Sequence, residues 1–148
     1  MSMDKTSRIL VAIDGSESSM DAADYGISLA KKDNGELIII NIIHTPASAW
    51  TFYGASSFKE FIKKSKSDAE EWFDKIRKKA SEDGIQVKTE AIEEIQSVPA
   101  AIVNYAQDKK VDLIVVGTRG RTGFSRLLLG SVALGVVTYA TIPVMVVK

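Results

Sequence analysis

The chain has no cysteine, three prolines, a single histidine, and aromatic residues at only 7%. Without cysteine there is no disulfide, thiolate nucleophile or thiolate metal site. That usage fits a reducing compartment, and a cytoplasmic location is expected. With His44 alone, no histidine-rich zinc cluster can be assembled, and nothing positions Ser16 or Ser131 against a base as a hydrolytic triad requires. There is no excess charge of either sign: 19 Lys and Arg balance 19 Asp and Glu. Electrostatic binding of nucleic acid is therefore not expected. The polar first eight residues carry no secretory signal. An uncharged run extends from Leu127 to Val147, long enough to serve as a tail anchor. Gly130, Gly135 and the Thr141-Ile142-Pro143 step interrupt it, which favours a buried helix followed by a buried strand, and no membrane partner is expected.

What is present is ordinary for a folded soluble chain: 45% hydrophobic and 26% charged residues over 148 positions. One domain spanning 1–148 is expected, able to bury roughly 68–70% of its unfolded surface. Short β-branched runs alternate with helical periods. Ile9–Ile13 is a continuous apolar run, as in a strand covered on both faces, and Leu37–Ile43 is a second. Between them Ser16 or Ser18 opens a helix carrying Met20, Ala23, Ile27 and Ala30, stopped by Asn34-Gly35. Residues 44–57, with Pro46 and Gly54, read as a loop whose aromatics Trp50, Phe52 and Tyr53 cover a ligand pocket or a partner surface, or pack beneath the loop. A long helix follows, its inward stripe including Phe61, Trp72, Phe73 and Ile76. Ile85, Val87, Thr89 and Ala91 alternate with polar residues, as in a strand near a sheet edge. Ser97 and Pro99 open a third helix, 111–116 is a fourth buried strand, a last helix starts near Ser131, and Val144–Val147 closes the chain. The alternation predicts a parallel sheet with helices on both faces.

In such a sheet ligands bind beyond the carboxyl ends of the strands. Two polar, glycine-rich turns stand there: Asp14-Gly15-Ser16 after the first strand, and Gly117-Thr118-Arg119-Gly120-Arg121-Thr122-Gly123 after the fourth. Glycines let backbone N–H groups approach an anion, and a helix beginning at Gly130-Ser131 adds unpaired amides and a partial positive charge. Arg119, Arg121 and Arg126 add cationic attraction. Phosphate is the chemistry this favours. Asp14, being anionic, suits a ribose hydroxyl or a bound metal ion instead. Neither the P-loop pattern nor the dinucleotide Gly-x-Gly-x-x-Gly pattern occurs.

Gly117-x2-Gly120-x9-Gly130-Ser131 resembles the nucleotide-binding signature of the universal stress protein family, Gly-x2-Gly-x9-Gly-Ser/Thr. The resemblance extends to the opening strand Arg8–Ser16, to Asp112–Gly120, and to the closing segments Leu127–Val132 and Ile142–Val147. It implies a three-layer α/β/α sandwich with a five-stranded parallel sheet of order 3-2-1-4-5, Rossmann-like and similar to the adenine nucleotide alpha hydrolases. It further implies ATP as ligand, with Mg²⁺ carried by the phosphates. By position, Asp14 would meet the ribose, Ala12 would lie beside the nucleotide, and the Ile42 backbone would meet the adenine edge. Gly117, Gly120, Gly130 and Ser131, with the amides of Val132 and Ala133, would hold ribose and phosphates; Arg119 and Gly123 belong to the same loop. Ala133 stands where the family often has a hydroxyl. The family usually forms a homodimer through its last strand, here Val144, Met145, Val146 and Val147.

Three functions fit this reading. The first is an ATP-binding regulatory protein acting through an unnamed protein partner. The second is a slow ATP hydrolase or a phosphoryl or adenylyl transferase, for which no general base stands out. The third is a dimeric interaction module with a vestigial pocket. No catalytic residue and no dedicated metal ligand is assigned.

Overall fold

The computed structural model describes residues 7–118 and 129–148. The apolar runs become strands β1 (Arg8–Ala12), β2 (Glu36–His44), β3 (Val87–Glu94), β4 (Leu113–Gly117) and β5 (Val144–Val147). All neighbouring pairs are parallel, in the order β3-β2-β1-β4-β5. This is the sheet implied by the family resemblance. Register aligns Ala12 with Ile40 and Val116, and Gly117 with Val147, so these chain segments leave the sheet at one rim.

Strand alternation divides the core in two. Ile9, Val11, Leu37, Ile39 and Val115 face α1 (Glu17–Asp33) and α2 (Ala47–Glu82), meeting Ala23, Ile27, Phe73 and Ile76. Leu10, Ile38, Ile40, Ile114 and Val116 face α3 (Val98–Asp108) and α4 (Ser131–Tyr139), meeting Ile102, Ala106, Ala133 and Val136. Both faces are covered, which is why the central strands lack polar alternation. β3 does alternate, as an edge strand should. Among the two serines considered as the cap of α1, it is Ser16 whose side chain accepts from the Ser19 amide. The helix ends at Asn34, in the left-handed region at φ 52°. Ser97 caps α3 in the same way.

Two expectations fail in α2. The segment 44–57 is not a loop: helix begins at Ala47 and breaks only at Gly54, whose φ of 76° and ψ of 165° are non-helical. Pro46 restricts φ at the helix start instead of preventing the helix, and a single glycine re-aims the chain between two helical pieces. Nor does the whole apolar stripe reach the core. Phe73 is 2% exposed but Phe61 is 50% exposed, and no described side chain from Pro46 to Asp68 is buried.

At the amino end of the sheet, Glu36 accepts from Lys88 on β3 at 2.6 Å and from Arg8 on β1 at 3.3 Å. The Lys88 hydrogen bond, joined by the field of both cations, holds the Glu36 carboxyl below its ordinary range despite partial desolvation. A lowered native pKa contributes stability that is present above the unfolded pKa and is lost as pH falls through the native one. Thermal melts of Glu36→Gln across the acid range should therefore show a smaller acid-induced loss of stability than wild type. Phe73→Ala should cost about 3–5 kcal/mol, whereas Phe61→Ala should cost less than about 1 kcal/mol. Equal costs in denaturant melts would place Phe61 in the core.

Candidate functional site

The rim where β1 and β4 end is built by short-range constraints. Asn41, a polar residue inside an apolar strand, is 6% exposed. Its Nδ2 donates to the Ile13 carbonyl at 2.8 Å, fixing the exit of β1. The chain then turns at Gly15, with φ 83°. The Asp14 carboxylate accepts from the Ser16 amide at 2.9 Å, closing an Asx turn that leads into α1. The Trp72 indole of α2 occupies the space a Gly15 side chain would need, so both space and backbone conformation require glycine.

On the neighbouring strand, a Cβ at Gly117 would stand 2.7 Å from the Ser18 carbonyl carbon and 2.8 Å from the Ser19 nitrogen. Gly117 is thus needed to let β4 approach the start of α1. Beyond it, the Thr118 amide donates to the Val147 carbonyl at 2.8 Å, and the Gly130 amide donates to the Thr118 carbonyl at 2.6 Å. This pair sets the start of α4 against the end of β4. Gly130 is the N-cap of α4 and offers no side-chain cap. Leu134 is the first residue to close a helical turn, onto the Gly130 carbonyl at 2.9 Å. The amides of Ser131, Val132 and Ala133 consequently have no acceptor within the helix.

These elements enclose a cavity of about 240 Å³. Ala12, Asp14, Ile42, Gly117, Gly130, Ser131, Val132 and Ala133, all proposed from sequence, line it together. Arg119, Gly120 and Gly123 lie outside the described residues. Not anticipated from the sequence are Ile13, Ser19, Val98, Ile102, Val116 and Thr118, which also line the cavity. The i, i+4 spacing of Val98 and Ile102 on one face of α3 was the available signal. The cavity has an apolar wall of Ala12, Ile42, Val98, Ile102 and Val116. Its polar groups are an acceptor, Asp14, and the donor-rich N-terminus of α4. Such a site suits a flat apolar ring joined to a hydroxylated and anionic moiety.

His44 is not part of this cavity. Its Nε2 lies 3.2 Å from the Gln96 carbonyl, and it lines a separate groove beside α2. Among the described residues, no group of three or more His, Asp or Glu side chains is placed to hold a metal ion. Among the described residues, the titratable groups with shifted pKa lie outside this cavity. Burial, reinforced by Glu90, raises the Tyr105 phenol, and the Glu70 hydrogen bond, aided by Asp74, raises Arg77.

An open parallel sheet of order β3-β2-β1-β4-β5 with helices on both faces, and a cavity at the strand-order reversal, defines a Rossmann-like α/β fold. The chain belongs to the universal stress protein family, whose family model matches residues 5–148. It is 40% identical over 143 residues to universal stress protein MJ0531 of Methanocaldococcus jannaschii, covering 95% of this chain and 81% of that one. It is 34% identical over 148 residues to YxiE of Bacillus subtilis, covering 95% and 98%. The universal stress protein UspA structure from Lactobacillus plantarum superposes with a TM-score of 0.84 at 22% identity, over 97% of this chain and 99% of that one. The fold is also shared by a universal stress protein solved in complex with cAMP, at TM-score 0.65 and 24% identity over 96% of each chain. An Archaeoglobus fulgidus member solved in complex with dAMP has a TM-score of 0.67 at 19% identity, covering 97% of this chain and 98% of that one.

Gly117→Ala should destabilise the protein by about 1–3 kcal/mol through overpacking against the α1 backbone. For a chain of this size that is a fall in Tm of about 2–4 °C per kcal/mol. An unchanged Tm would contradict the close approach of β4 to α1.

Proposed function

We propose that residues 1–148 form one universal stress protein domain that binds ATP, with Mg²⁺ carried on its phosphates, as a cytoplasmic nucleotide-dependent regulator. The observation that carries this reading is the convergence in one cavity of three capless α4 amides, the Asp14 carboxylate and an apolar slot. Ala12, Val98 and Ile102 form the walls for adenine, with the Ile42 backbone at its edge, and Asp14 takes the ribose hydroxyls. Gly130, Ser131 and the amides of Val132 and Ala133 hold the phosphates at the positive end of α4. Gly117 brings β4 close enough to complete the cradle, and Arg119, Gly120 and Gly123, outside the described residues, are included in the ATP-binding set on the family resemblance. Two structural neighbours were solved in complex with adenine nucleotides, cAMP and dAMP, which supports an adenine nucleotide as the class of ligand.

The protein acts as a homodimer in this reading. β5 is an edge strand with a partly exposed Val144-Met145-Val146 run. Beside it α4 exposes Leu134 at 55% and Tyr139 at 68%. An open apolar edge of this kind is stabilised by pairing with a second copy.

Calorimetric titration with Mg-ATP should give micromolar binding, tighter than for AMP because the additional phosphates meet the α4 amides. Loss of one hydrogen bond to a charged group is worth about 1.5–3 kcal/mol, so Ser131→Ala should weaken ATP by about 10- to 150-fold. No binding at millimolar Mg-ATP, together with no nucleotide released on denaturation, would overturn the assignment.

A further inference from the structure

The Ser19 hydroxyl makes two hydrogen bonds, and α1 requires neither of them. Ser19 is 4% exposed and stands in the first turn of α1, after the Ser16 cap. Its amide already donates to Ser16 Oγ at 3.3 Å, and the Ser16 carbonyl already accepts from the Met20 amide at 3.0 Å. The helix therefore has its cap and its first turn without the Ser19 side chain. At this position a Glu or Gln commonly reaches back to the amide of the capping residue. Here that amide is taken by Asp14 Oδ1 at 2.9 Å, and the shorter Ser19 side chain reaches further back. Its Oγ accepts from the Asp14 amide at 3.3 Å and donates its one proton to the Ser16 carbonyl at 2.9 Å. Among the described residues the Asp14 amide has no other acceptor.

These bonds form a closed ring. The Ser16 amide donates to the Asp14 carboxylate, the Ser16 carbonyl accepts from Ser19 Oγ, and Ser19 Oγ accepts from the Asp14 amide. Asp14 is thus held by its side chain and its main chain together. One carboxylate oxygen is fixed, while Oδ2 has no protein partner among the described residues. Both Asp14 and Ser19 line the nucleotide cavity. The end of β4 lies directly against the ring, since a Cβ at Gly117 would stand 2.8 Å from the Ser19 nitrogen. A carboxylate fixed before the ligand arrives loses little freedom on binding, so its preference for a hydroxyl partner is expressed nearly in full.

We propose that Ser19 is a positioning residue for ribose recognition: by closing the ring it aims Asp14 into the cavity and makes the site select nucleotides with free ribose hydroxyls. This role rests on the ATP reading and adds the residue that sets its sugar specificity. Ser19 acts through Asp14 and not on the ligand, because its single proton is committed to the Ser16 carbonyl.

Calorimetric titration of the full chain with Mg-ATP and with 2′,3′-dideoxy-ATP, whose sugar lacks both hydroxyls, tests this. Wild type should prefer ATP by at least about 10-fold, the effect of a hydrogen bond to a charged group. Ser19→Ala should leave dideoxy-ATP binding unchanged and cut that preference by about 3- to 10-fold. Ser19→Cys, which keeps the volume and offers a weaker acceptor, should fall between the two. In an Asp14→Ala background, Ser19→Ala should cost ATP nothing further, because the two residues act as one unit. Equal loss of ATP and dideoxy-ATP affinity in Ser19→Ala would overturn the proposal and leave the nucleotide site standing, since Ser19 would then only support the fold. A further loss of ATP affinity in the Asp14→Ala background would overturn it too. A wild type that binds both nucleotides equally would refute the assignment of Asp14 to the ribose, and the role of Ser19 with it.

Discussion

The hydrogen bond from the Gly130 amide to the Thr118 carbonyl, at 2.6 Å, is the constraint on which the site depends. It brings the start of α4 to the end of β4 across a segment of chain that separates them in sequence. The Thr118 amide is in turn held by the Val147 carbonyl, so the edge strand β5, its neighbour β4 and the helix N-terminus share one anchor. Were α4 to start a turn further away, its unpaired amides would face water and the cavity would lose its donors. Gly117 serves the same arrangement from the other side, because only a residue without a side chain lets β4 lie against the first turn of α1.

The acidic side of the cavity rests on a different device. Asn41 would be costly inside β2 without a partner, and its bond to the Ile13 carbonyl supplies one. The same bond fixes where the chain leaves β1, so that Asp14 turns into the rim. Trp72 then closes over Gly15 from α2. A polar residue in a buried strand, a left-handed glycine and an indole from a distant helix together position one carboxylate.

Much of this was legible in the sequence, for identifiable reasons. Ile9–Ile13, Leu37–Ile43 and Val144–Val147 could be read as strands because continuous β-branched runs have few other stable uses in a short soluble chain. The Gly117, Gly130 and Ser131 spacing led to residues that share one cavity. The order of the strands came from the family resemblance, since alternation alone specifies only a parallel sheet. Residues 44–57 were misread because Pro46 and Gly54 punctuate both loops and helix ends, and spacing does not distinguish them. Phe61 was misplaced for a related reason. Helical periodicity continues past the rim of the sheet, but the sheet does not, and where a helix outruns its support is a tertiary fact.

The most direct test of the central claim is the amide chemical-shift response of the ¹⁵N-labelled protein to Mg-ATP. The account predicts that the Gly130, Ser131, Val132 and Ala133 amides shift at saturation, together with Asp14 and Ile42. Saturable binding that leaves the α4 amides unmoved would contradict it, because the phosphates would then be held elsewhere.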